Sequence, residues 1–402
     1  MKKISLILFF FCALLLGSCS ESDKKTQSQD LSTVIVSLDG FRWDYVDSYN
    51  TPHLEEMAKK GVSATMIPSF PASTFPNHYT LATGLTPNHH GIVHNTFWDN
   101  KLQKMYAIND DKTRFDPQFY QGEPIWVTAQ QQNRKVACIY WVASDVKIKD
   151  TYPDYYLKWS NKRLSFDERI DKAIELLSQN PENRPHLIML YMEEPDATGH
   201  KYGPSSEEIK TKIREMDKHI GYLMNRISKL PHNKQINLIV TSDHGMTDIS
   251  DERVVSVSKY LDSAWYDKIA GTNPTSIYSK KEHREEIFNA LKDIPHIHVW
   301  KKEDIPSHLD YSTNHRIGDI LVASELGWQF TDTPRKQQGA HGYFPEEKDM
   351  QVPFRAYGPS FKENYIHTDI INTDIYLLLS KILEIKPALT DGKEERILEI
   401  LK

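Results

Sequence analysis

Four runs of almost unbroken apolar and β-branched residues, at 33–38, 136–140, 186–191 and 236–241, limit the folds this chain can adopt. Strands of that composition are buried on both faces, the pattern of a parallel sheet covered by helices. The segments between them carry the complementary signal. Helical patterning falls at 52–60, 77–83, 168–177 and 206–230, so strands and helices alternate along the chain. This alternation predicts an α/β fold with a central, mostly parallel sheet flanked by helices. Residues 251–335 read differently, with short strands at 275–278, 296–300 and 319–322 around one helix at 281–292. They are expected to form a small α+β cap, inserted before the last part of the main sheet in a catalytic domain spanning 32–402.

The first residues are read apart from the fold. Lys2 and Lys3 precede an apolar run from 4 to 16, too short to span a bilayer comfortably, and Leu16-Gly17-Ser18-Cys19 follows. Small residues before a cysteine at that place resemble a bacterial lipoprotein cleavage site. The resemblance implies a signal peptide over 1–18, lipidation of Cys19 as a membrane anchor, and an exported lipoprotein of the outer membrane or cell surface, or facing the periplasm. Residues 19–31 are polar and charged, and are expected to be a disordered tether. Of three cysteines, Cys12 lies in the leader and Cys19 would carry lipid, so Cys138 alone stays in the body and no internal disulfide can form. Cys138 sits in an apolar run and reads as a buried strand residue. A formal charge of -6 argues against electrostatic capture of a nucleic-acid duplex. It leaves a small nucleotide open as a substrate, because bound metal ions can supply local positive charge.

The acidic residues fall where an α/β sheet builds its ligand site. Asp39 closes the run at 33–38, Asp196 and His200 follow the run at 186–191, and Asp243 and His244 follow the run at 236–241. Ligands of open α/β sheets bind beyond the carboxyl ends of the strands. His341, in Gly339-Ala-His-Gly-Tyr343, could join them. Each taken alone reads as a turn, and Pro195 and Gly199 argue for a loop around Asp196 and His200. Together they form a set of ionisable groups that would repel without a counter-charge. Divalent cations remove that repulsion, and mixed imidazole and carboxylate donors suit zinc, with iron, cobalt or manganese also compatible. Six ligands exceed what one catalytic zinc takes, so two ions fit better, and two-metal sites point to phosphoryl chemistry.

A nucleophile is available in Pro68-Ser-Phe-Pro-Ala-Ser-Thr-Phe-Pro-Asn77. Thr74 stands at an expected helix start. Taken alone it reads first as a helix cap ahead of Pro76, but the same placement suits a hydroxyl set where a helix N-terminus attracts anions.

These residues resemble the nucleotide pyrophosphatase/phosphodiesterase family of the alkaline phosphatase superfamily. The matching segments include Ser37-Leu-Asp-Gly-Phe-Arg42, Thr74-Phe-Pro-Asn-His-Tyr79, Ser144-Asp-Val146, the stretch Glu193-Glu-Pro-Asp-Ala-Thr-Gly-His200, Ser242-Asp-His-Gly-Met246 and His341-Gly-Tyr343. The resemblance implies one zinc held by Asp196, His200 and His341, and a second held by Asp39, Asp243 and His244, with Thr74 completing it. It implies that Thr74 attacks phosphorus, giving a phosphothreonine intermediate that water then hydrolyses. Asn95 would hold a phosphoryl oxygen together with the backbone N–H of Phe75. Phe75 and Trp159 would wall a nucleobase slot, with Trp141 and Tyr191 as weaker choices. His78, His89, His90 and His94 match no ligand position and read as structural or supporting residues. Glu193 and Glu194 are expected to orient the ligand loop.

The expected function is therefore two-zinc hydrolysis of nucleotide phosphodiester or pyrophosphate bonds. Lysophospholipid and choline phosphodiesterases of the same superfamily share the diester chemistry, and Phe75 and Trp159 could partly enclose an ammonium head instead of a base. A phosphomonoesterase would need added positive charge, which the matched segments lack. A non-catalytic binding lipoprotein would have lost ligands or nucleophile, and here those positions are filled.

Overall fold

The protein was analysed as a computed structural model, which describes residues 31–334, 336–368 and 370–402. The expected signal peptide and Cys19 lie outside the described residues. No helix among the described residues is long and apolar enough to cross a membrane.

In chain order the main strands are β1 (Ser32–Leu38), β2 (Val62–Ile67), β3 (Val136–Ile139), β4 (Tyr155–Leu157), β5 (Leu187–Met192) and β6 (Ile236–Thr241). The strands β7 (Tyr266–Ala270), β8 (Thr275–Ser279), β9 (Ile297–Lys301) and β10 (Ile320–Ser324) follow, and then β11 (Val352–Tyr357), β12 (Tyr365–Ile366) and β13 (Ile370–Ile371). Nine strands form one sheet in the order β12-β2-β11-β6-β1-β5-β3-β4, with β13 also on β2. From β6 to β4 every pairing is parallel, whereas β11 runs antiparallel to both β6 and β2. The central strands β1, β5 and β6 are buried along their whole length, in keeping with their mostly apolar and β-branched sequences.

Helices α1 (Pro52–Lys60), α2 (Thr74–Thr83), α3 (Phe166–Leu177), α4 (Asp196–Tyr202), α5 (Glu207–Ser228), α6 (Arg284–Leu291) and α7 (Asp374–Ile382) account for the longer helical segments. Helix α3 starts with a full capping box between Ser165 and Glu168, and Ser206 caps α5 through the N–H of Ile209. Strand β3 stops one residue earlier than its sequence suggests, because Tyr140 takes a φ of 59° that no extended strand can carry.

Strands β7 to β10 form a separate antiparallel sheet in the order β7-β8-β10-β9, packed with α6. It has its own apolar cluster, centred on Ile277, Ile287, Leu291, Ile320 and Val322. The main sheet resumes afterwards at β11.

Candidate active site

Parallel β6, β1 and β5 lie side by side, so their carboxyl ends open on one edge. Asp39 leaves β1 there, with its N–H bonded to Met192 O at 3.0 Å, and the N–H of Asp196 bonds Asp39 O at 2.9 Å. Gly40 permits this contact. It has a φ of 70°, and a Cβ there would lie 2.8 Å from the Asp196 Cα. Its N–H donates to Asp243 Oδ1 at 3.2 Å, joining the ends of β1 and β6.

The segment with Asp196 and His200 differs from the loop expected. It is helix α4, and the four-residue spacing sets both side chains on one face, with His200 Nε2 3.3 Å from Asp196 Oδ1. Pro195 precedes the helix, where a missing N–H does no harm, and the Glu194 carboxylate accepts the N–H of Thr198 at 3.1 Å. Gly199 is there for packing, because a Cβ would press on the Met246 side chain at 3.2 Å. His341 arrives from outside the sheet, after Gly339–Ala340 pairs with Thr247–Asp248, and its Nε2 lies 3.7 Å from Asp196 Oδ1.

Two trios result. Asp196, His200 and His341 form one. In the other, His244 Nε2 lies 3.4 Å from Asp39 Oδ1 and 3.1 Å from Asp243 Oδ2. The three imidazoles are held alike. Nδ1 donates to Gly339 O in His200 (2.8 Å), to Gly245 O in His244 (2.9 Å) and to Ala72 O in His341 (3.0 Å). A carbonyl can only accept, so each Nδ1 carries the proton and each Nε2 presents a lone pair toward the carboxylates.

The carboxylates show what the site lacks. Asp39 Oδ1 and Asp196 Oδ1 are buried with no hydrogen-bond donor, and Asp243 Oδ2 is approached by the Nδ1–H of His78, shared with Thr74 O, at 3.2 Å. Their partner oxygens are satisfied where donors exist, as Asp39 Oδ2 is by the Tyr191 hydroxyl at 2.5 Å. Burial, and then the Asp243 and Asp196 carboxylates, push Asp39 well above the usual carboxylate range. Burial acts the same way on Asp243, but positive charge taken up by His244 and His78 in the metal-free site, with the hydrogen bonds from His78 and the Gly40 N–H, outweighs it and holds Asp243 below that range. Donorless oxygens facing oriented imidazole lone pairs match the requirement of divalent cations, and the imidazole and carboxylate set fits zinc.

Thr74 is the first residue of α2, and Ser73 takes the N-cap position. Its Oγ1 lies 3.1 Å from His244 Nε2. His78, one turn on, points Nδ1 at Thr74 O (3.0 Å) and Asp243 Oδ2 (3.2 Å), and its Nε2 meets Ser37 Oγ at 2.8 Å. It is thus a buried link between the helix start and a site carboxylate. Phe75 and Asn95 also meet, in an arrangement other than the one expected. The N–H of Phe75 donates to Asn95 Oδ1 at 3.0 Å, so the two are not parallel donors, and this bond orients the Asn95 amide.

Beside Thr74 opens a cavity of about 310 Å3, lined among others by Asp39, Phe75, Arg114, Tyr140, Trp159 and Tyr191. Phe75 and Trp159 both face it. Trp141 does not. It is buried, and its Nε1 donates to His78 O at 3.3 Å. Tyr191 contributes its ring, with the hydroxyl committed to Asp39.

Two cations flank the aromatic walls. The Arg114 guanidinium lies 5.7 Å from the Phe75 centroid and 5.6 Å from that of Trp159, and the Arg163 guanidinium lies 4.2 Å from Trp159. Asp145 pairs with Arg114 at 3.4 Å and accepts the N–H of Trp159 at 3.0 Å. Sequence reading missed Arg114 and Arg163, since neither lies in a matched segment. Asp145 was within reach, in Ser144-Asp-Val146.

Glu193 bonds Arg169 at 2.5 Å and Arg163 at 3.2 Å, away from both trios. His89 belongs to a surface cluster with Asp310 and Asp391, remote from this site in its contacts. His90 bonds Thr80 and Pro76 O in the core, and His94 donates to Asn273 O at 3.3 Å.

Comparison with known proteins agrees with this arrangement. The profile of the type I phosphodiesterase / nucleotide pyrophosphatase family matches residues 33–344. Human bis(5'-adenosyl)-triphosphatase ENPP4 is 37% identical over 394 residues, covering 96% of this chain and 85% of that protein. Human ectonucleotide pyrophosphatase/phosphodiesterase family member 5 is 35% identical over 406 residues, covering 100% of this chain and 83% of that protein. Among solved structures, murine ENPP5 in an inactive threonine-to-alanine form with AMP superposes with a TM-score of 0.88 at 34% identity, over 92% of this chain and 100% of that one. The chain therefore belongs to the type I phosphodiesterase / nucleotide pyrophosphatase family, with its alkaline phosphatase-like α/β fold, and is a hydrolase of phosphodiester bonds.

Proposed function

We propose that this protein hydrolyses phosphodiester or pyrophosphate bonds of nucleotides, with Thr74 as nucleophile and two zinc ions as cofactors. The observation that carries the reading is the placement of Thr74 Oγ1 against His244 Nε2, beside two trios in which Asp39 Oδ1 and Asp196 Oδ1 are buried without a donor. Asp196, His200 and His341 would hold one ion, and Asp39, Asp243 and His244 the other, with Thr74 as a further ligand. When bound, the ions supply Lewis acidity for the attacking and departing oxygens.

The remaining work belongs to the chain. Thr74 gives up its hydroxyl proton to solvent and attacks phosphorus. The bond to the leaving oxygen breaks, and that group departs with its electron pair and takes up a proton from solvent as its basicity requires. The nucleoside monophosphoryl group stays esterified to Thr74. Water then cleaves that ester and restores the hydroxyl. Asn95, oriented by the N–H of Phe75, presents its Nδ2 to a phosphoryl oxygen, where negative charge builds. Phe75 and Trp159 flank the base. Human ENPP4 is named for hydrolysing a dinucleoside triphosphate, and murine ENPP5 holds AMP, which supports a nucleotide in this cavity.

The wall cations do not make a monoester site, because Asp145 and Glu193 neutralise them.

The test is hydrolysis of p-nitrophenyl thymidine 5′-monophosphate beside p-nitrophenyl phosphate, with chelator and with added zinc. Zinc-dependent preference for the diester supports the reading, and preference for the monoester overturns it. Export as a lipoprotein anchored through Cys19 is a separate proposal, motivated by the leader sequence. Cys19→Ala should move the enzyme from the membrane to the soluble fraction, and unchanged fractionation would contradict it.

A further inference from the structure

We infer that a second cavity, between the cap and the segment carrying His341, is the subsite for the leaving group, and that it takes one built as a nucleotide: a phosphate tail ending in an aromatic base. The inference rests on the reading of Thr74 as nucleophile, and adds what the enzyme selects on the other side of the broken bond.

In an in-line displacement the leaving oxygen lies opposite the attacking one. Thr74 stands against His244, so a leaving group departs on the side of Asp196, His200 and His341. A cavity of about 400 Å3 adjoins that trio. Ala340, His341 and Tyr343 line it from the main domain, and Tyr266, Asn273 and Trp328 from the cap side. It shares no lining residue with the cavity of Phe75 and Trp159. Both cavities reach the reacting centre, the first at Asp39, Thr74 and Asp196 and the second at His341. The volume falls within the range of small-molecule sites, roughly 300–1,000 Å3.

The lining suits a nucleotide. The Trp328 ring is backed by the His296 ring at 3.6 Å with an interplanar angle of 6°, which fixes it as a rigid wall for stacking. Asn273 is 7% exposed. Its Oδ1 accepts the N–H of Ser324 at 2.9 Å and its backbone O accepts from His94 Nε2, whereas its buried Nδ2 has no acceptor among the described residues. A buried amide donor without an acceptor is unfavourable, and a phosphate oxygen or ring nitrogen would satisfy it. His94 adjoins Asn95, so the cap turn carrying Asn273 rests on the chain beside the proposed phosphoryl-binding residue. Asp332, the one carboxylate of the lining, is tied to Ser256 and Ser258.

The experiment measures binding in a Thr74→Ala background with zinc, using diadenosine triphosphate as the two-nucleotide probe and AMP as the one-nucleotide probe. Trp328→Ala and Asn273→Asp should weaken diadenosine triphosphate about tenfold while AMP moves less than about twofold, and Trp328→Phe should restore most of the loss. Asn273→Asp keeps the acceptor for Ser324 and replaces only the donor. In the active enzyme, each of these two variants should lower the ratio of kcat/KM for diadenosine triphosphate over p-nitrophenyl thymidine 5′-monophosphate by a similar factor. Equal weakening of both probes, or of neither, overturns the subsite. Failure of the Thr74→Ala parent to bind either probe would instead overturn the nucleotide reading on which it rests. Melting curves of each variant report whether the cap remains folded.

Discussion

The hydroxyl oxygen of Thr74 lies 3.1 Å from Nε2 of His244, the nitrogen that its own Nδ1–H···O bond to Gly245 leaves with a lone pair. Two residues 170 positions apart meet because α2 starts at the edge where β6 ends. Thr74→Ala should lower kcat on a diester by about a thousandfold or more, while the melting temperature changes little, since the N-cap is Ser73 and its cap uses no side-chain bond. Steady-state kinetics and calorimetry on one preparation check both halves.

His78 tests whether the buried support of the site matters. Its Nδ1 lies 3.2 Å from Asp243 Oδ2. His78→Asn should weaken zinc binding by about 10- to 100-fold, and excess zinc should recover much of the activity. A zinc titration of activity measures this, and a loss that zinc cannot recover would assign His78 a role beyond orienting Asp243.

The carboxylates predict how pH and metal interact. Without a cation, Asp39 is raised above its ordinary value of 3.8, so its contribution to stability is complete below that pH and is lost as pH rises through the elevated folded value. Asp243 is lowered, so its contribution is present above 3.8 and is lost as pH falls. A bound cation favours both ionised forms. The gap in melting temperature between zinc-loaded and chelated protein should therefore widen as pH rises, as deprotonated carboxylate and imidazole ligands bind metal more tightly. A gap that stays constant would contradict metal binding by these groups.

The aromatic walls give a specificity prediction. Phe75→Ala or Trp159→Ala should raise KM for a nucleoside diester by about tenfold, the effect of losing one stacking partner, with a smaller change for a diester lacking a base. The comparison of the two substrates is the measurement. Equal changes would mean that the rings only shape the loop.

Much of this arrangement could be read from the sequence because parallel strands announce themselves. Buried β1, β5 and β6 are largely apolar and β-branched, and the charged residues just beyond them are Asp39, Glu193 to Asp196, and Asp243 with His244. Strand β2, with alternating burial, and β4, only partly buried, gave no such run and were not anticipated. Helix α4 was misread because Pro195 and Gly199 usually break helices. Here the proline precedes the first turn and the glycine is required by contact with Met246, a tertiary fact invisible in local sequence. Arg114 and Arg163 escaped notice for the same reason. They reach the cavity from segments whose own sequence carries no signal of ligand binding.

The most direct test of the central claim, covalent attack by Thr74, is the stereochemistry at phosphorus. A nucleoside diester made chiral at phosphorus with sulfur is hydrolysed in 18O-labelled water, and the configuration of the product is determined. Two in-line displacements, first by Thr74 and then by water, predict net retention. Net inversion would mean a single attack by water, and would contradict the account.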